Sequence, residues 1–326
     1  MNLAAEPIKL PATENYYELG GIPICTTLPM PGIVRSAALN GGPLMNVREG
    51  PAAAYDALVE EIGERDLSKI YQMVGLRDGG TYIRWHTEFE FLISPDRHTI
   101  LFRRLHGNTL EPALRSFLFG HVFSRALSDL GAEALHGTAA AVGGCAAAFL
   151  GNCGHGKSTL ATWLLRSGLP LLTDDVLVLR EDKDAVLAYP GLPQIKLLPD
   201  SVDDLFDLSH GVPICSCSPK LIFQLTSGHY AHPAPLRRIF VLGSPDDAPS
   251  DVKLEPIQGH STIVALVSNV FNDDTVDPER QRRLFALLVR LTKTVPVIKL
   301  NYPRRRDVMP QVVSRIVEEM GREARQ

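Results

Sequence analysis

FLGNCGHGKSTLATWLL, residues 149–165, places a glycine-spaced turn between an apolar run and a helical pattern. Phe149 and Leu150 end an apolar run, and Leu160, Leu164 and Leu165 then recur at helical spacing. Between them, Gly151, Asn152, Cys153, Gly154, His155, Gly156, Lys157 and Ser158 satisfy G-x-x-x-x-G-K-[ST] at every fixed position, with Thr159 following. Glycines let the backbone turn with its amides pointing inward, so an anion meets a ring of N–H donors. The helix behind offers its positive end to the same anion. Lys157 supplies a mobile charge for the outer phosphates, and Ser158 places a hydroxyl where Mg2+ can bind. Cys153 and His155 occupy variable positions; they shape the loop, with a phosphate contact as the alternative for His155.

Downstream, LPLLTDDVLVL (169–179) sets Asp174 and Asp175 inside an apolar run, one helix after the loop. Two charges interrupting such a run need a reason. A strand adjacent to the loop's strand would carry them to the sheet edge where the phosphates lie. There one carboxylate can take a proton from an acceptor hydroxyl while its neighbour helps hold the metal. The plain alternative is a solvated turn.

Around this centre the chain reads as α/β. YYELGGIPICTTL opens like a hairpin, and 52–64 has helical spacing. TYIRWHTEFEFLIS and HTILFRRL read as two strands around Pro95-Asp96, with Tyr82, Arg84, His86, Glu88 and Glu90 on one parity. That polar row is expected to be a solvated sheet face, or else a substrate contact. Residues 111–130 predict a helix, with Pro112 near its start and Gly131 after its end. Two small-residue strands meet at Gly143-Gly144; 170–190 reads strand, turn, strand; 235–243 and VPVIKLNY are strands; 259–271, 278–292 and 307–321 are helices. An N-terminal α+β domain is expected over 1–110, and a P-loop domain over 111–326.

Composition limits the function classes. Hydrophobic residues make up 45% and charged residues 21%, with a net charge of −4, so a real core is available and no basic block points to nucleic acid. No apolar window reaches the length of a membrane span, and the N-terminus has no signal-like apolar core, so a cytoplasmic protein is expected. The five cysteines are scattered and read as reduced; Cys215 and Cys217 stand too close for a zinc pair. Arg304, Arg305 and Arg306 read as a solvated element end.

The segment from His136 to Leu179 resembles the catalytic core of HPr kinase/phosphorylase. It offers His136-Gly137, the loop, a helix, Ser167-Gly168 and Asp174-Asp175 in the family's order. YYELGGIPI, AYPGLPQIKLLPDSVDDLF and PLRRIFVLG look like the HPr-kinase-related proteins of ribosomal peptide clusters, including lasso peptide kinases. The resemblance implies a HPr-kinase-type P-loop core and a serine kinase using ATP or another nucleoside triphosphate with Mg2+. It further implies a peptide acceptor carrying a serine, and a lean towards a homo-oligomer. Lys157 and Ser158 take the phosphate and metal roles, Asp174 that of the general base, and Asp175 that of its metal-linked neighbour. His136 takes the role of the histidine beside the acids, where an imidazolium tunes a carboxylate.

Cys153 stands where the family commonly has serine. In Pro193-Gln194-Ile195-Lys196 an amide, Gln194, replaces a metal-binding glutamate. The missing HPr-specific features argue against HPr as acceptor. Arg237 and Arg238 point to opposite strand faces, one reaching phosphate or both packing at the core edge. A nucleotide-binding regulator and a small-molecule kinase remain rival readings, and the loop does not distinguish ATP, GTP or pyrophosphate as donor.

Overall fold

A computed structural model describes residues 14–35, 44–63, 69–107, 110–183, 185–202, 206–216, 218–271 and 277–322. It is a mixed α/β protein. The first sheet has seven strands: β1 (Asn15–Leu19), β2 (Ile22–Thr26), β3 (Met45–Glu49), β4 (Tyr71–Gly75), β5 (Thr81–Trp85), β6 (Phe89–Ile93) and β7 (Thr99–Arg104). Their order is β1-β2-β3-β7-β6-β5-β4, and the expected opening hairpin is present. Two short helices, α1 (Ala52–Asp56) and α2 (Val59–Ile62), take the place of the single helix expected there.

The segment expected as one strand over 81–94 is a hairpin instead. His86 adopts a left-handed backbone (φ 45°), and Trp85 pairs with Phe89 across the turn. The fold-back changes the polar row. Tyr82, Arg84 and Glu90 are buried, not solvated: the Tyr82 hydroxyl donates to Glu90 at 2.7 Å, and Arg103 forms an ion pair with the same carboxylate. Paired and hydrogen-bonded, the charges are tolerated inside.

A long helix follows as α3 (Glu111–Phe117), a π-turn (Leu118–Val122) and α4 (Phe123–Asp129). Its apolar side joins the core of the first sheet and also meets Ala134, Val176 and Val178 of the next.

The second sheet has eight strands: β8 (Glu133–Val142), β9 (Cys145–Leu150), β10 (Leu171–Thr173), β11 (Val176–Asp182), β12 (Ala185–Tyr189), β16 (Ala234–Leu242), β17 (Lys253–Pro256) and β18 (Val297–Asn301). Between β12 and β16 lies a three-stranded sheet of β13 (Gln194–Leu197), β14 (Val212–Cys215) and β15 (Ser218–Gln224). Helices α5 (Lys157–Arg166), α6 (His260–Val267), α7 (Pro278–Thr294) and α8 (Met309–Gly321) complete the chain.

The alanines of β8 and β9 explain the layering. Ala140 and Ala147 face a core with Leu160, Leu164 and Ile316, whereas Ala139, Ala141, Ala146 and Ala148 face Leu266, Leu288 and Leu291. Both faces of the sheet are therefore covered, and small residues let helices come close. Pairing closes on itself from β8 through β9, β16, β12 and β11 back to β8.

Other expectations are corrected. Residues 170–182 form one strand path broken at Asp174-Asp175, since β10 and β11 both pair antiparallel with the same β8. Arg237 and Arg238 both donate to the Arg322 carbonyl, at 3.2 and 2.8 Å, near the start of β16 and away from the phosphate loop. Cys25, Cys145 and Cys153 are free, but Cys215 is disulfide-bonded. Arg305 and Arg306 are exposed as expected, whereas Arg304 turns back onto the sheet edge, donating to the Gly243 carbonyl. Among the described residues no helix is long and apolar enough to cross a membrane.

Gly137 has a steric reason. A Cβ there would lie 2.6 Å from Leu150 Cδ2 and 3.0 Å from the Phe149 carbonyl oxygen. Gly137→Ala is expected to destabilise the protein by about 1–3 kcal/mol through this clash, read as a lower urea midpoint at unchanged slope.

Candidate active site

The tripeptide His136-Gly137-Thr138 on β8 lies between the two halves of the site. On one edge, Gly137 and Thr138 pair with Leu150 and Phe149, the residues before the phosphate loop. On the other, the Gly137 N–H donates to the Asp175 carbonyl at 3.2 Å, and the Thr138 hydroxyl donates to Asp174 Oδ1 at 2.8 Å. The acids therefore sit one strand farther from the loop than expected, with β8 between, roughly 10 Å across two strand spacings. Because β9 and β10 are both antiparallel to β8, they run the same way and deliver loop and acids to one sheet edge.

Asp175 takes the break in the strand with φ 79°, which turns neighbouring carboxylates in different directions. Asp174 Oδ2 accepts from the Lys196 backbone N–H at 2.9 Å. Asp175 Oδ2 accepts from Lys196 Nζ at 2.7 Å, and its Oδ1 lies 3.4 Å from His136 Nδ1. The environments split the pair. Burial raises the Asp174 carboxyl above its ordinary range, and the adjacent Asp175 charge adds to this. Burial pushes Asp175 the same way, but Lys196 and His136 outweigh it and hold that carboxyl well below the usual range. His136 itself is lowered by burial, with Asp175 opposing.

The phosphate loop has the backbone its motif requires, with positive φ at Gly151, Gly154 and Gly156. Gly156 begins α5 without a side-chain cap, so the first-turn N–H groups are left for an anion. Lys157 is buried and folds back on the loop, donating to the carbonyls of Gly151 and Asn152. Burial lowers its pKa, with the two aspartates opposing. His155 Nδ1 sits 3.1 Å from the Leu242 carbonyl and so ties the loop to the end of β16. Asn152, Cys153 and Gly154 are exposed, and Ser158 and Thr159 half-buried.

This donor set fits a polyphosphate. For Mg2+ the protein alone is poor: among the described residues no three His, Cys, Asp or Glu side chains converge on a metal position. Both Asp175 oxygens are already engaged, one by the Lys196 ammonium and one by the His136 ring, whereas Ser158 stands at the loop as the motif requires. Ser158, and Asp175 if Lys196 were displaced from it, are the residues that would hold a magnesium ion beside a bound polyphosphate.

No protein-family model matches the chain. Nor does any curated protein sequence. Among solved structures, the chain is similar to the HPr(Ser) kinase/phosphatase from Coxiella burnetii. The likeness has a TM-score of 0.32 and 14% identity, over 57% of this chain and 95% of that one. The functional reading therefore rests on the residues of this chain.

Several of those residues carry no motif. Asn269, buried after α6, accepts from the Gly151 N–H through Oδ1 at 2.9 Å and from the His136 N–H through its carbonyl at 2.6 Å. It thus ties the loop to the histidine, and nothing in its local sequence announces it. Lys196, two residues after Gln194, carries no motif either, yet its ammonium holds Asp175. Gln194 itself turns away from Asp175 and donates to Ser116 on α3 at 3.2 Å.

The raised Asp174 carboxyl has a consequence for stability. The unfolded chain ionises at an ordinary ~3.9, while the folded protein keeps the proton to higher pH. As pH rises through the ordinary value, the unfolded state releases its proton first and gains relative to the folded one. Asp174→Asn removes this loss and keeps both hydrogen bonds, since the Thr138 hydroxyl can accept as well as donate. In the absence of ligand the variant is expected to match or exceed wild-type Tm at pH 7, with the difference shrinking towards pH 4. A clearly lower Tm at pH 7 would contradict the assignment.

Proposed function

We propose that this chain is a Mg2+-dependent serine kinase, moving the outer phosphoryl group of a nucleoside triphosphate such as ATP onto a serine hydroxyl of a peptide. The observation that carries the reading is the split acidic pair: a carboxylate with raised proton affinity, Asp174, one strand from a complete phosphate loop. Lys157, now on its loop carbonyls, would bind the outer phosphates, and Ser158 is the hydroxyl that would hold the magnesium. The ion, when bound, neutralises charge on the phosphates. Asp174 takes the hydroxyl proton as the serine oxygen bonds to phosphorus and the bridging P–O bond breaks, releasing the nucleoside diphosphate. Asp175, held ionised by Lys196 and His136, keeps the charge beside Asp174 that raises its basicity.

The acceptor side is open on the flank of the first sheet. A cavity of about 300 Å³ is lined by Trp85 and Ile70 from that sheet, by Phe117 and His121 of the long helix, and by Asp175, Lys196 and Lys220. Burial pushes His121 down to about 4, so its ring is neutral at pH 7 and the cavity's charge comes from Asp175, Lys196 and Lys220. Such a cavity supports the N-terminal unit, 1–110, presenting a peptide to the core at 111–326. The leading acceptor class is a precursor of a ribosomal peptide, lasso precursors included, on the strength of the sequence resemblance.

One observation favours a second reading. Lys196 occupies Asp175, and Gln194 replaces an acid, as in a protein that binds nucleotide without transfer. Transfer of labelled phosphate to serine peptides separates the two. Lys157→Ala is expected to abolish triphosphate binding in calorimetry without unfolding the protein. Asp174→Asn should keep that binding while turnover falls about 10²–10⁴-fold. Near-normal turnover at saturating Mg2+ in Asp174→Asn would remove the base; binding without turnover in the wild type would establish the regulator.

A further inference from the structure

Arg304 has no role in the motif or in the proposed chemistry, yet it lies at the phosphate loop. Strands β9, β16 and β18 run parallel, so Gly151, Gly243 and the Tyr302–Arg304 segment leave the same sheet edge. The guanidinium is fixed by Gly243, to whose carbonyl Nη2 donates, and by the Tyr302 ring, 4.1 Å from Cζ to the centroid. Nη1 lies 3.3 Å from the point where a Cβ on Gly156 would sit.

Two features of this placement demand a partner. Nε and Nη1 are buried and make no well-formed hydrogen bond among the described residues, with the Tyr302 hydroxyl as a polar neighbour. No acidic side chain among the described residues pairs with Arg304, whose only hydrogen-bonded nitrogen, Nη2, is taken by the Gly243 carbonyl. Shielded donors of a half-buried cation carry a desolvation penalty until something accepts from them. The surroundings add to it. The positive end of α5 and the Arg304 guanidinium converge on Gly156, and the Lys157 ammonium lies on the carbonyls of Gly151 and Asn152 in the same loop. Like charges gathered at one point are stable together when an anion sits among them, and a guanidinium's fork matches phosphoryl oxygens.

We infer that Arg304 is a second cationic contact to the phosphate chain held by the loop, reaching it across Gly156 from the end of β18. The inference rests on the proposed phosphate-binding role of the loop and adds a residue 147 positions beyond Lys157 (304 − 157) to the same site. Its ligand is the phosphate chain itself, not the base. Arg304 therefore favours extended polyphosphates over a single phosphate, whatever nucleoside they carry.

Titration calorimetry of the full chain with MgATP, inorganic tripolyphosphate and inorganic phosphate tests this. Arg304→Gln is expected to weaken MgATP and tripolyphosphate alike, by about tenfold or more, with a shallower dependence of affinity on salt. Arg304→Lys, which keeps the charge and loses the fork, should fall between the two and serves if Arg304→Gln does not fold. A merely structural role would lower the ligand-free Tm while leaving the affinity of the folded protein unchanged; that result overturns the inference. So does a variant that loses MgATP affinity but keeps that for tripolyphosphate, which would place Arg304 at the base or sugar. If wild-type protein binds neither polyphosphate, the loop's own role fails, an outcome distinct from unchanged affinity in the variant. Equal affinity of the wild type for phosphate and tripolyphosphate would also refute the preference for a chain.

Discussion

Everything in the candidate site hangs on β8 being held along both edges at Gly137 and Thr138. One edge holds the end of β9, from which the phosphate loop springs; the other holds the break at Asp174-Asp175. A strand in the middle of a sheet is the stiffest support a fold offers, so the separation of loop and acids is set by strand spacing and not by side-chain reach. Gly137 is bare because Leu150 and the Phe149 carbonyl fill the space a side chain would need. Asn269 adds a cross-brace, satisfying the Gly151 N–H and the His136 N–H from outside the sheet.

The second feature is an imbalance of charge that the ligand-free protein tolerates. Lys157 and Arg304 crowd the uncapped start of α5, while Asp174 and Asp175 crowd each other one strand away. Asp175 is reconciled by Lys196 and His136, and Lys157 by loop carbonyls. Arg304 is left with two shielded donors unpaired, and Asp174 in an environment that disfavours its charge. Concentrating such strain where an anion and a proton are to be handled is how a rigid site prepares electrostatics in advance of its ligand.

The N-terminal sheet is joined to this arrangement through one helix. Phe117, Phe123 and Leu127 share a core with the first sheet, and that core reaches Val176 and Val178 just beyond the acidic pair. The π-turn at Leu118–Val122 turns His121 towards the cavity beside Asp175. A π-turn displaces the side chains that follow it, and such turns recur at functional positions. Packing at the first sheet is thus continuous with the wall of the proposed acceptor cavity.

The sequence by itself determined the phosphate loop, the helix behind it, the small-residue hairpin at Gly143-Gly144 and the presence of an acidic pair, because each is a local pattern. A loop's backbone needs its glycines within a few residues, and a helix face or turn is written at short period. Most later helices and strands were legible for the same reason. Contacts between distant segments were not. The hairpin at His86 buried a polar row that alternation alone read as solvated, since burial depends on the pairing of Glu90 with Tyr82 and Arg103. The insertion of β8 between loop and acids, the Lys196 ammonium on Asp175, the bridging amide of Asn269 and the turn of Arg304 towards Gly156 were decided only by tertiary structure. In each, the partners are brought together by sheet order, and no short-range preference in the chain specifies which strand lies beside which.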